Sequence, residues 1–106
     1  MAVPGDGGGD NAGYAAYRAL VRQRIEELLS YPSSARRRGL SGTVQIEVEM
    51  TASGEVGRVS LVASSSHRVL DEAALDAARG VRRLPFPPNV RPRPLRIRLP
   101  IVFDLR

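Results

Sequence analysis

The sequence predicts an α+β fold: a two-layer sandwich in the order α-β-β-α-β. Its three-stranded antiparallel sheet, strand order 2-1-3, carries two helices on one face. Three observations lead there. Thr43 to Ser65 alternates apolar and polar side chains about a glycine turn, the pattern of a β-hairpin. Tyr14 to Ser30 and Val69 to Gly80 repeat apolar residues at three- and four-residue steps, the pattern of amphipathic helices. Leu95 to Leu105 alternates again and supplies a third strand. A hairpin alone is marginal in water, so its apolar face needs these other segments as cover.

Met1 to Gly13 contains PGDGGGDNAG, a composition unable to bury a core. It is expected to be a flexible linker over residues 1–13, with the folded domain over 14–106. In the first helix Tyr17, Leu20, Val21, Ile25, Leu28 and Leu29 form the apolar stripe, and Arg22 and Glu26 pair across one turn. Tyr31-Pro32 stops it, because the residue before a proline is driven out of the α region. Ser33 to Arg38 reads as one helical turn ended by Gly39. Its Arg36-Arg37-Arg38 run either meets phosphate or an acidic partner or, on the simpler reading, is a solvated turn.

In the first strand Val44, Ile46, Val48 and Met50 face the core while Gln45, Glu47 and Glu49 face out. Ala52-Ser53-Gly54-Glu55 is the turn. The second strand is expected to bury Val59, Leu61 and Ala63, with a bulge or loop end at Gly57 because Val56 is out of phase with Val59. The second helix presents Leu70, Ala73, Ala74, Ala77 and Val81, small enough for close approach to a sheet. Asp71 and Glu72 sit in its first turn and Arg79 near its end, as the helix dipole prefers. Asp71, Glu72 and Asp76 read as a solvated face. Leu84 to Pro94 holds five of the eight prolines, so it is an extended connector, with Phe86 expected against a helix end. In the last strand Pro100 has no N–H for a ladder, which predicts an edge strand with that position facing open. Placing this strand beside the first sets Arg96 and Arg98 opposite Glu47 and Glu49.

Composition narrows function by exclusion. At 42% hydrophobic and 25% charged the chain is an ordinary globular mix, and no apolar run approaches a membrane span. No cysteine is present, which removes disulfides, thiolate metal sites and thiol nucleophiles. His67, the one histidine, has no obvious partner for metal or base chemistry and reads as a surface or capping residue. With no Gly-rich phosphate loop and no His–carboxylate pair, an enzyme is not expected, nor a cofactor or metal. The net charge of +5, all of it arginine, makes nucleic acid conceivable. Only five aromatics exist, and none interleaves with arginine on a predicted sheet face, which argues against that class.

A series of short motifs runs through the chain: Tyr31-Pro32, Ala35-Arg36, Gly39-Leu40, Gly42-Thr43-Val44, Ser53-Gly54, Ser65-Ser66, Leu70-Asp71-Glu72-Ala73-Ala74, Phe86-Pro87-Pro88 and Pro100-Ile101-Val102-Phe103. In this order the chain resembles the C-terminal domain of TonB energy transducers over about Val21 to Leu105; TolA-like domains share the fold with a weaker motif match. The resemblance implies a periplasmic domain, anchored to the inner membrane by an N-terminal helix that joins the ExbB–ExbD motor. It implies a partner too, the TonB box of an outer-membrane transporter, lying parallel to the last strand. No membrane helix or long proline-rich spacer is present, as expected of an excised domain. The alternatives are a TolA-like envelope interaction domain and a basic nucleic-acid module.

The residues and the resemblance meet at the last strand. An edge strand exposes unpaired N–H and C=O groups, a template for β-augmentation. The expected contact residues are Arg96, Ile97, Arg98, Leu99, Pro100, Ile101, Val102 and Phe103, with Leu29, Ser30, Tyr31 and Pro32 at one end. Tyr31 is equally readable as a packed core residue. The same edge, unoccupied, is expected to pair with a second copy as a homodimer.

Overall fold

The fold, a computed structural model, describes residues 8–105. The elements are α1 (Gly8–Leu28), α2 (Ser33–Arg37), β1 (Gly42–Met50), β2 (Val56–Ala63), α3 (Arg68–Val81) and β3 (Leu95–Phe103). The strands form one antiparallel sheet in the order β2-β1-β3, with α1 and α3 packed together on one face. α1 begins at Gly8 rather than Tyr14, so residues 8–13 continue the helix instead of forming linker; residues 1–7 lie outside the described residues. No helix among the described residues is long and apolar enough to cross a membrane.

Period-two patterning explains the central and third strands directly. Val44, Ile46, Val48 and Met50 of β1 and Ile97, Leu99, Ile101 and Phe103 of β3 are buried under the helices. Each such side chain contributes about 1.5–3 kcal/mol of burial. β1 and β3 stay in register without a break from Gly42↔Phe103 to Met50↔Leu95. Arg98 Nε meets Glu47 Oε1 at 3.0 Å and Arg96 Nε meets Glu49 Oε2 at 3.9 Å, the cross-strand pairs that the alternation predicts.

β2 follows the pattern less well. An extra residue between Val56 and Val59 brings both opposite core-facing β1 residues, Met50 and Val48, so the out-of-phase valine is a bulge at Gly57 and Arg58. A second irregularity leaves Val62 unpaired and turns Ala63 opposite Gln45, onto the outer face. Leu61 lies opposite Ile46 yet stays 43% exposed on the edge strand. The expected burial of Leu61 and Ala63 is therefore not found, and Val59 is the buried residue of β2.

α1 buries a narrower stripe than the sequence suggests. In α1 Tyr17, Val21 and Ile25 are fully buried, one residue per turn, while Leu20 and Leu28 stand outside the stripe and remain exposed. α2 ends in a Schellman arrangement: the Leu40 N–H donates to the Ala35 carbonyl, the Gly39 N–H donates to Arg36, and Gly39 takes φ 68°. α3 packs Leu70, Ala74, Ala77, Ala78 and Val81 inward.

Asp71 corrects the reading of the α3 acids as one solvated face. Glu72 and Asp76 are exposed and pair with Arg68 and Arg79, but Asp71 is 7% exposed. Its carboxylate accepts from the Ser64 and Ser65 hydroxyls and from the Ser65 N–H at 2.9 Å, tying the end of β2 to the start of α3. His67 is the N-cap residue, its carbonyl accepting from Leu70 and Asp71 N–H, though its side chain makes no capping bond.

The connector after α3 is fastened to α1. The Tyr17 hydroxyl donates to the Leu84 carbonyl at 2.6 Å, and its ring stacks on Phe86 at 4.4 Å. Phe86 thus lies against the body of α1, not a helix end. The Tyr14 hydroxyl donates to the Arg91 carbonyl at 2.7 Å, and Val90 is buried beside Gly13. These contacts fix where β3 begins.

Candidate functional site

Both outer strands of the sheet have an unpaired edge among the described residues, but they are unequal templates. β2 carries two register breaks in eight residues, and bulges blunt an edge against further pairing. β3 is regular along its whole length.

The direction of the β3 backbone groups follows from Pro100. The ladder to β1 continues through Gln45↔Pro100 although a proline has no N–H. Pro100 therefore occupies a non-hydrogen-bonded pair, its polar atoms turned away from β1. Residues two apart share a direction, so the N–H and C=O of Arg96, Arg98 and Val102, with the Pro100 carbonyl, point to the open side. Those of Ile97, Leu99 and Ile101 point to β1.

The sequence-predicted residues fall along this edge in order. Ile97, Leu99, Ile101 and Phe103 correct the expected contact set: their side chains lie in the core and their backbone groups share the direction that faces β1, so they offer the open edge neither side chains nor hydrogen-bonding groups. Arg96 and Arg98 extend over the outer face, and Val102 is 57% exposed. The predicted corner meets the far end of the strand: Tyr31 packs edge-on against Phe103 with ring centroids 5.3 Å apart. Its hydroxyl donates to the Leu40 carbonyl, and the Arg36 guanidinium lies 5.6 Å over its ring. Tyr31 is held on three sides, half-buried, as a packed residue that shapes the corner. Leu29 packs against the core, Pro32 is half-buried and Ser30 is exposed.

At the other end of the edge the sequence pointed to Arg96, Ile97 and Arg98 but not to the α1 residues that face them. α1 overhangs the start of β3, and between them lies a cleft of about 490 Å³ lined by Tyr14, Ala15, Arg18 and residues 95–98. Arg18 Nη2 donates to the Arg98 carbonyl at 2.7 Å. Arg93 stands 4.5 Å over the Tyr14 ring at the same end. The two sides of this cleft come from opposite ends of the chain, and nothing local in the sequence joins them.

Comparison with known proteins places this geometry in context. Residues 27–105 match the family described as Gram-negative bacterial TonB protein C-terminal. Protein TonB of Vibrio cholerae is 36% identical over 90 residues, covering 82% of this chain and 35% of that protein. The chain thus spans about a third of the length of that relative. A solution structure of the Helicobacter pylori TonB C-terminal domain superimposes with TM-score 0.75 at 23% identity, covering 95% of this chain and 98% of that one. TolAIII, solved bound to a peptide derived from the N-terminus of TolB, gives TM-score 0.67 at 21% identity, covering 100% of this chain and 82% of that one.

Proposed function

The chain belongs to the Gram-negative TonB C-terminal family of energy transducers, which are not enzymes, and on that premise we propose that it binds an extended peptide by strand addition to β3. The observation that carries the reading is the unbroken outer edge of β3, with backbone donors and acceptors of alternate residues facing away from β1. In strand addition main-chain bonds supply affinity and alternate side chains supply selectivity.

The partner proposed is the TonB box of an outer-membrane transporter, lying parallel to β3 from the Leu95 end to the Tyr31–Phe103 corner. Within the whole protein the domain would work in the periplasm. A membrane helix upstream, outside this chain, would join an ExbB–ExbD motor whose proton-driven motion becomes a pull on the peptide. A ladder of bonds loaded along the strand shares that shear among all its members, which suits a transmitting element. The bound peptide reported for TolAIII supports peptide capture as a use of this fold. A TolA-like role is the second reading and rests on fold alone. Unoccupied, the same edge would pair with a second copy, and sedimentation over a concentration series tests that dimer.

The test of the function is a titration of the isotope-labelled chain with the N-terminal peptide of a transporter from the same cell. Amide shifts along β3 and the Leu29–Pro32 corner are expected; shifts restricted to α3 and the β2 edge reject the reading.

A further inference from the structure

Arg18 reaches from α1 to the open edge of β3. Its guanidinium is bonded to a neutral carbonyl, that of Arg98, on the open side of β3. Other arginines of this region are engaged elsewhere. Arg96 and Arg98 lie on Glu49 and Glu47, and Arg93 covers the Tyr14 ring. Among the described residues Arg18 pairs with no carboxylate, and no acidic residue lines the cleft it enters. Among the described residues, the open edge therefore begins beside a cation without a counter-charge, in a concave site of about 490 Å³.

A strand added to β3 approaches the Arg98 carbonyl from the side where the guanidinium stands. Arg18 must then swing aside on its flexible stem. Where it lands decides which segments are favoured. A carboxylate accepts two parallel N–H bonds from the planar guanidinium and gives a stronger contact than one carbonyl does. A neutral segment leaves the guanidinium with water only.

We propose that Arg18 makes this edge selective for an acidic segment, its guanidinium exchanging the Arg98 carbonyl for an Asp or Glu carboxylate seated in the cleft between α1 and the first half of β3. The proposal rests on strand addition at β3 and names the chemistry of the segment that adds. Arg18 is a specificity residue here, and it also shields the Arg98 carbonyl while no segment is bound.

The test uses N-acetylated octapeptides of alternating valine and threonine. One series carries a single Glu walked along the peptide, and a matched series carries Gln at the same positions. Binding to the full chain is read by fluorescence anisotropy, and β3 amide shifts are recorded in parallel. The Glu peptide is expected to bind about fivefold tighter at the one or two positions that face residues 95–98. Arg18→Gln removes that preference and leaves the Gln peptide bound no more weakly than to the native chain. Arg24→Gln, on the same helix and of equal charge change, keeps the preference. A Glu preference that survives Arg18→Gln overturns the proposal, as does equal binding of both series with β3 shifts intact. If neither series moves a β3 amide, strand addition itself fails and this inference falls with it, a result visible in the shifts and not in the ratio.

Discussion

Tyr17 and Phe86 stack with ring centroids 4.4 Å apart and planes 15° from parallel, while the Tyr17 hydroxyl donates to the Leu84 carbonyl at 2.6 Å. One residue of α1 thus holds two of the proline-rich connector, and the connector sets the start of β3. Tyr17→Phe keeps the stack and loses the hydrogen bond. It is expected to lower stability by about 1–2 kcal/mol in urea unfolding, because the Leu84 carbonyl is left without that donor. Tyr17→Ala loses the ring as well and is expected to cost about 3–5 kcal/mol.

Asp71 makes stability depend on acid. Burial pushes its carboxyl upward, but the Ser64 hydroxyl, the Ser65 amide and hydroxyl and nearby His67 outweigh that and hold it below the ordinary 3.8. A carboxyl depressed in the folded state adds stability above its unfolded value, and that part is lost as pH falls through the lower folded value. Asp71→Asn is expected to cost about 1–3 kcal/mol near pH 7. The gap between native and variant urea midpoints should begin to narrow as pH falls past the ordinary 3.8, where the unfolded carboxyl takes up its proton, and should close only at lower pH, where the native carboxyl does so. A gap constant with pH would show that the ion itself does not matter there.

Gly54 sits at φ 84° in the β1–β2 turn, and a Cβ placed on it would lie 2.8 Å from the Leu84 carbonyl oxygen. The Leu84 N–H donates to the Gly54 carbonyl at 2.7 Å, so the two backbones cannot separate cheaply. Gly54→Ala is expected to lose at least about 1–3 kcal/mol, read as a fall in thermal midpoint.

Val102→Pro separates binding from folding. Its N–H is assigned to the open side of β3, and its side chain is exposed. Removing that N–H is expected to change stability by under about 1 kcal/mol while weakening peptide binding about tenfold. Ile101→Pro, one residue earlier, removes a donor to β1 and is expected to unfold the sheet edge.

Much of this was readable from the sequence, for physical reasons that also mark its limit. β1 and β3 are regular and buried on one face, so alternation shows which side chains are buried, and setting β3 beside β1 brings Arg96 and Arg98 opposite Glu47 and Glu49; the register itself needs the structure. β2 is an edge strand with bulges, and one unpaired residue, Val62, puts Ala63 on the face opposite to the one alternation assigns it. Apolar spacing placed Leu20 and Leu28 on the α1 stripe, but a helix at the margin of a small layer buries only the line through Tyr17, Val21 and Ile25. Asp71 looks like any acid in a first helical turn until the preceding serines fold back on it. Of the candidate site, the open edge and its Tyr31 corner follow from Pro100 and Tyr31-Pro32. The Arg18–Arg98 contact depends on tertiary placement across a separation of 80 residues.

Amide hydrogen exchange along β3, with and without the transporter peptide, distinguishes an edge that takes up a strand from one that does not. In the free chain the N–H groups of Ile97, Leu99 and Ile101 should exchange slowly and those of Arg96, Arg98 and Val102 quickly. Peptide addition should slow Arg96, Arg98 and Val102 and leave the other three nearly unchanged. Protection confined to the helices, or fast exchange persisting at those three arginine and valine amides with peptide bound, would contradict strand addition at this edge.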